Sequence, residues 1–290
     1  MKKLVFLLVS VVLIASCKNQ GEKSSQNVKQ SEFDEFVAKA NEIRPRANKP
    51  SDIQVFFEMT GSDYIPGVVN DPLNYEQYLE VPDLAAANLA VYLVDAFYLL
   101  AYDKWSEAYN SIAAARSIAY SMNLDDLFVD VVLDRLEEGY EPDDSLRYKI
   151  DQVLVEAEND FNESDRMQFF SALLIGDYLE TQYILFKTLM EYPVDLPDQA
   201  KLLILREVIF MMKNELQSLD YIIELFEKYH TDESRPGILG KELKLLREKY
   251  RALNLEPAKL TPSDIFDNPL VEEMYEHVQA ARDVLVNPVI

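Results

Sequence analysis

Near its start the chain has a short, almost continuous apolar run and then settles into stretches where apolar residues return every three or four positions, the signature of amphipathic helices. Around Asp34 to Asn41, the residues Phe33, Phe36, Val37 and Ala40 fall on one face. Ser51 opens a short helix that turns Ile53, Phe56 and Phe57 inward. From Gly61 to Val81, Pro66, Gly67, the pair Asp71-Pro72 and then Pro82 mark an irregular, turn-rich segment. Long helices follow. Pro82 suits the first turn of a helix from Asp83 to about Tyr102, a second runs from Lys104 to Asn123, and a third from Asp125 to Glu138. Asp143, Asp144 and Ser145 offer caps for a helix reaching Phe161. Ser164 begins another, to about Tyr192, and Asp198 to Tyr229 carries one or two more. Gly237 to Asn254 and Pro269 to Val286 complete the set. No run of strand period competes with these, so the expected fold is all-α, a multi-helix array of antiparallel hairpins.

Composition agrees. The chain has 7 glycines in 290 residues, too few for the turns and phosphate loops of sheet-rich nucleotide-binding folds. With 49% hydrophobic residues it has material for a sizeable core.

The opening run is a different object. Met1-Lys2-Lys3 is basic, Leu4 to Ala15 is apolar apart from Ser10, and the chain's single cysteine, Cys17, comes directly after Ala15 and Ser16. The run falls short of the roughly twenty residues a membrane-spanning helix needs, and its layout is that of a secretory signal peptide. Ile14-Ala15-Ser16-Cys17 resembles the lipobox of bacterial lipoproteins, in which the cysteine thiol accepts a diacylglyceryl group and becomes the acylated N-terminus. Only a thiolate serves that chemistry. The expected organisation is a lipoprotein signal peptide over 1–16, an acylated N-terminus and flexible tether over 17–30, and one helical domain over 31–290. The tether "KNQGEKSSQNVKQ", Lys18 to Gln30, is too polar to bury surface that would offset its ordering. Lys18 carries no aspartate-type retention signal, which by resemblance implies the outer membrane of a Gram-negative envelope. With one cysteine, no internal disulfide is expected, and the fold rests on packing.

Charge narrows the partners. The 51 acidic residues outnumber 28 basic ones, and losing Lys2 and Lys3 with the signal peptide makes the imbalance larger. Such a field repels nucleic acid and anionic head groups. The expected partners are the membrane, through the lipid, and a protein or polymer of the envelope, with no nucleic acid.

Two resemblances bear on the helices. Tyr92, Ala96, Leu99, Trp105, Ala108, Ile112 and Ala115 fall at the spacing of a tetratricopeptide helix pair. Asp95 stands where that motif has leucine and Tyr120 where it has proline, and the period does not recur clearly, whereas a solenoid needs about three repeats. The array is therefore expected to be tetratricopeptide-like or bundle-like. The longer run "NLAVYLVDAFYLLAYDKWSEAYNSIAAARSIAYSMNL" is similar to a segment of uncharacterised all-helical lipoproteins of the Bacteroidota, with Asn88, Tyr92, Asp95 and Tyr98 at the family's spacing. "DSL" at Asp144, "GDYLETQY" from Gly176 and "SLD" at Ser218 extend the likeness over roughly residues 50 to 250. Asp177 and Tyr178 replace a glycine and a tryptophan of the family pattern, and Leu93 and Thr181 replace small residues. These departures predict that the two long helices stand further apart here than in relatives. The resemblance implies anchor and fold, and no activity.

Candidate chemistry concentrates in those two helices. Asp83 to Tyr102 is apolar almost all round, which marks a central buried helix, and Asn88 and Asp95 argue against its lying in lipid. Asn88, Tyr92, Asp95, Tyr98 and Tyr102 on this helix, with Asp177, Glu180 and Tyr183 on the later one, form a candidate buried polar seam or ligand pocket. Buried carboxyls can serve as an acid–base pair, but a network satisfying its own hydrogen bonds is the stronger reading. Asp95 is expected to hydrogen-bond a tyrosine, with Tyr92, Tyr98 and Tyr102 the local choices. His230 and His277 lie far apart without a zinc-protease motif, and no G-x-S-x-G, P-loop or calcium loop occurs. No catalytic residue, metal site or cofactor is assigned. The expected function is a membrane-anchored helical binding or scaffold module, more a binder than an enzyme. The alternative is an envelope hydrolase using Asp95 and Glu180; a sealed seam favours the module and a short carboxyl separation at a solvent-reachable cleft the hydrolase.

Overall fold

Helix α1 spans Pro50–Thr60, α2 Pro82–Ala101, α3 Trp105–Ser121, α4 Asp144–Glu163 and α5 Met167–Met190. Helix α6 covers residues 218–229, α7 is Arg235–Ala252 and α8 is Pro269–Val286. A 3-10 helix, Pro72–Gln77, lies in the segment between α1 and α2. These come from a computed structural model that describes residues 50–60, 62–124, 144–163, 166–191, 216, 218–230, 235–253 and 268–287. No strand occurs among the described residues, and the fold is all-α. The signal peptide, the tether, the helices expected at Asp34–Asn41 and Asp125–Glu138, and the first part of Asp198–Tyr229 lie outside the described residues.

Helix ends follow local chemistry. Proline occupies the first turn of α2 and α8, where its missing N–H costs nothing. The Asn268 side chain caps α8 by accepting from Leu270 N at 3.1 Å. In place of the scarce glycines, Asp103 and Asn123 take φ of 57° and 59° just past α2 and α3. Both turns close with the paired Schellman bonds, Lys104 N to Leu99 O and Asp103 N to Leu100 O in one, Leu124 N to Ala119 O and Asn123 N to Tyr120 O in the other. Asp and Asn are the non-glycine residues that tolerate this conformation best.

Helix α2 is the axle. Every residue from Leu84 to Leu100 is buried, and α1, α3, α5 and α8 all pack on it. It is long and apolar enough to cross a membrane by composition, yet its surroundings here are other helices. The region Ala47–Ile290 forms one compact unit.

The two long helices, expected to stand further apart than in relatives, are in close contact. Gly176 of α5 lies so close to α2 that a Cβ placed on it would sit 2.1 Å from Ala87 O. Helix α5 presents no side chain at the point of contact, so its backbone rests on that of α2. Gly176 opposite Ala87 permits this contact despite the side chains of Leu93, Asp177 and Thr181 on the same two helices. On the far side, Gly240 of α7 receives the Phe226 ring of α6, whose Cε1 would lie 2.6 Å from an added Cβ.

Candidate functional site

The close approach of α2 and α5 brings Asp95 and Glu180 together in the interior. Both are fully buried, at 0% exposure. The third member comes from α8: Arg282, 7% exposed, reaches Glu180 with two parallel bonds, Nε to Oε2 at 2.6 Å and Nη2 to Oε1 at 2.8 Å. This fork is the strong bidentate form of an ion pair. The guanidinium also donates to Val68 O at 3.4 Å and lies over the Tyr183 ring, 4.2 Å from its centroid. Burial works against the Arg282 charge, but the attraction of Glu180 overcomes it and holds the group above its ordinary value.

Asp95 has a different environment. Its Oδ2 accepts from the backbone N of Asn70 at 2.9 Å, while Oδ1 has no N–H or O–H donor. Burial, and next the negative charge of Glu180, push its carboxyl well above the usual carboxylate range. The charge of Glu180 opposes ionisation of Asp95, so the two buried carboxyls sit together favourably only when one of them carries a proton.

Around this triad runs a second circuit of neutral groups. Asn70 Nδ2 donates to Tyr78 Oη at 3.0 Å and to Asn88 Oδ1 at 3.4 Å. Tyr78 Oη donates in turn to Val286 O at 2.9 Å, and Asn88 Nδ2 to Leu285 O at 3.0 Å and to Leu84 O at 2.9 Å. The last carbonyls of α8, which a helix end leaves without partners, are thus satisfied by side chains from much earlier in the chain.

The predicted seam divides in two. Asn88, Tyr92, Asp95 and Glu180 belong to the interior network, and Tyr183 borders it through Arg282. Tyr98 and Tyr102 belong elsewhere: Tyr98 Oη accepts from Ile65 N at 2.9 Å, Tyr102 Oη lies 2.9 Å from Ser62 Oγ, and their rings pack with Phe57 and Tyr64. Asp177 is only half-buried, unlike Glu180. The expected tyrosine partner of Asp95 is also corrected. Tyr92 Oη donates to Asp71 O at 2.9 Å, and the segment between α1 and α2, unlike the tyrosines, places a backbone N–H against the carboxylate.

Sequence reasoning missed Arg282, Asn70 and Tyr78. Arg282 had a signal: it continues the stripe of Val271, Met274, Val278 and Leu285, the buried face of α8. A charged residue on such a stripe requires a buried partner. Asn70 and Tyr78 had none, because an irregular segment has no periodicity to say which way it faces.

Chemically, the cluster can hold a proton between two carboxyls and balance the remaining charge with a guanidinium. Both of its carboxyls are closed to solvent. No group of three His, Cys, Asp or Glu residues suited to a metal occurs among the described residues. Comparison of the chain with protein-family models, with curated proteins and with solved structures returns no match.

Proposed function

We propose that the chain is a lipid-anchored envelope protein whose helical domain serves as a binding or scaffold module. One observation carries the choice of module over enzyme: Asp95 and Glu180, the carboxyl pair best placed for acid–base chemistry, are at 0% exposure with Arg282 packed over them. A hydrolase must admit both water and substrate to its carboxyls. The raised Asp95 carboxyl is the one feature that favours the hydrolase, and a buried proton-sharing pair accounts for it without a substrate. In the module reading α2 and α3, joined by three residues and packed together, form the tetratricopeptide-like pair, and outer surfaces meet the protein or polymer partner. Attachment runs through Cys17 to the outer membrane, as in the helical lipoproteins of the Bacteroidota that the chain resembles.

Two variants test this. Cys17→Ser abolishes incorporation of labelled palmitate and moves the chain out of the membrane fraction; wild-type labelling of the variant would sink the anchor. Asp95→Asn keeps the shape of the cluster and removes its titrating group. A binding module carrying it still retains from envelope extracts the same partners as wild type, and loss of those partners with an intact fold would return the carboxyls to a direct role.

A further inference from the structure

Three charged side chains share a sealed interior, and their count does not balance: two carboxyls face one guanidinium. Glu180 is committed to Arg282 through both oxygens. Asp95 has one oxygen satisfied by Asn70 N and one with no donor. An ionised Asp95 would therefore leave a net negative charge and an oxygen without a protein donor in a buried site, which is costly. A proton held between Asp95 and Glu180 removes both faults at once.

The same cluster helps to seat α8, whose apolar face also packs on α7. Arg282 is the only charged residue of α8 among those buried, and the helix is further held by the bonds from Asn88 and Tyr78 to its last carbonyls. We propose that α8 is a proton-dependent latch: it stays docked on α2 and α5 while the Asp95–Glu180 pair holds one proton, and its release lets that proton go.

The direction follows from linkage. With α8 undocked, water reaches Asp95 and its carboxyl returns toward an ordinary value near 3.9. Docked, it stays protonated to higher pH, because burial and the Glu180 charge oppose its ionisation. Between those limits the undocked form binds fewer protons, so rising pH favours undocking, by about tenfold per pH unit. Above the docked value both forms are ionised and the dependence stops. The groups facing Asp95 are Glu180 from α5, Arg282 from α8, Tyr92 from α2 itself, and Tyr64 and Tyr78 from the segment before α2. Tyr64, Tyr78 and Tyr92 are all raised above the ordinary phenol value, so none ionises at neutral pH and competes for the effect.

The experiment is amide hydrogen exchange of the full chain in detergent micelles between about pH 5 and about pH 8, each rate corrected for intrinsic base catalysis. In wild type, α8 amides open more readily than those of α2, and their opening rises with pH, by at most about tenfold per pH unit, until the docked Asp95 itself ionises. In Asp95→Asn, whose amide donates to Glu180 without titrating, α8 opening is level across the range. A common opening of α8 and α2, or the same slope in the variant, overturns the latch. A second measurement needs no variant: wild type at the acid end of that range shows the infrared carbonyl band of a buried protonated carboxyl, which fades as α8 undocks. Absence of that band in the folded chain overturns the proposal as well.

Discussion

Substituting Gly176 and Gly237 with alanine, one at a time, should give opposite results. Both glycines lie in helices, so each alanine gains intrinsic helix propensity, up to about 1 kcal/mol. What differs is the space. At Gly237, near the start of α7, an added Cβ meets nothing within 4 Å, so the gain stands and the variant is at least as stable as wild type. At Gly176 the Cβ would lie 2.1 Å from Ala87 O, 2.7 Å from Ala87 C and 2.9 Å from Ala87 Cα. All three atoms belong to the backbone of a helix buried on every side, so no side chain can swing away. Helices α2 and α5 must part by about 1 Å, and a gap of that size forfeits roughly a quarter to a half of the dispersion energy across it. Overpacking of this kind costs about 1–3 kcal/mol, occasionally more, which exceeds the propensity gain. Separation also stretches the contact between Asp95 and Glu180. The expected net loss is about 2 kcal/mol, read as a fall of about 4–8 °C in thermal midpoint by far-ultraviolet circular dichroism. Gly240→Ala should fall between the two, since its obstacle is the movable edge of the Phe226 ring. A Gly176→Ala variant as stable as wild type, with Gly237→Ala behaving as expected, would refute the backbone contact between α2 and α5.

Further variants address the buried charges. Arg282→Met alone strands the Glu180 carboxylate and should cost about 3–5 kcal/mol in a urea melt, whereas Glu180→Leu with Arg282→Met should recover most of that loss; a double variant no better than the single would show that the pair is not what α8 depends on. At Asp95 the order of stability should be wild type, then Asn, then Leu, because leucine leaves the Asn70 N–H without an acceptor, at about 1–3 kcal/mol. A leucine variant more stable than wild type would mean that the network costs the fold more than it contributes.

Much of this architecture is written locally in the chain, and the part that is not has a common cause. Helix α8 is legible to the residue because Asn268 and Pro269 specify its start and Val271, Met274 and Val278 its inner face. Helix α2 is legible as the axle because it has no polar face to turn outward. The pairing of Asp95 with Glu180 follows once two such helices are supposed to meet, but sequence alone did not show how closely, since that distance is set by one glycine against one alanine backbone. Arg282 lies 102 positions from Glu180, and no local pattern connects them. Asn70 meets Asp95 through its backbone N–H, a group every residue but proline possesses, so the residue type says nothing of that contact.

The bonds from Asn88 to Leu285 O and from Tyr78 to Val286 O bear on how the chain is made. Synthesis runs from the N-terminus, and domains ordinarily fold as units as they emerge. Here the central helix leaves the ribosome long before its acceptors exist. Until α8 arrives, Glu180 has no counter-ion from Arg282 and Asn88 and Tyr78 lack their carbonyls. The packing around Asn88, Tyr78 and Glu180 is therefore completed only once α8 has been made, and until then the nascent domain exposes groups that a chaperone would need to shield.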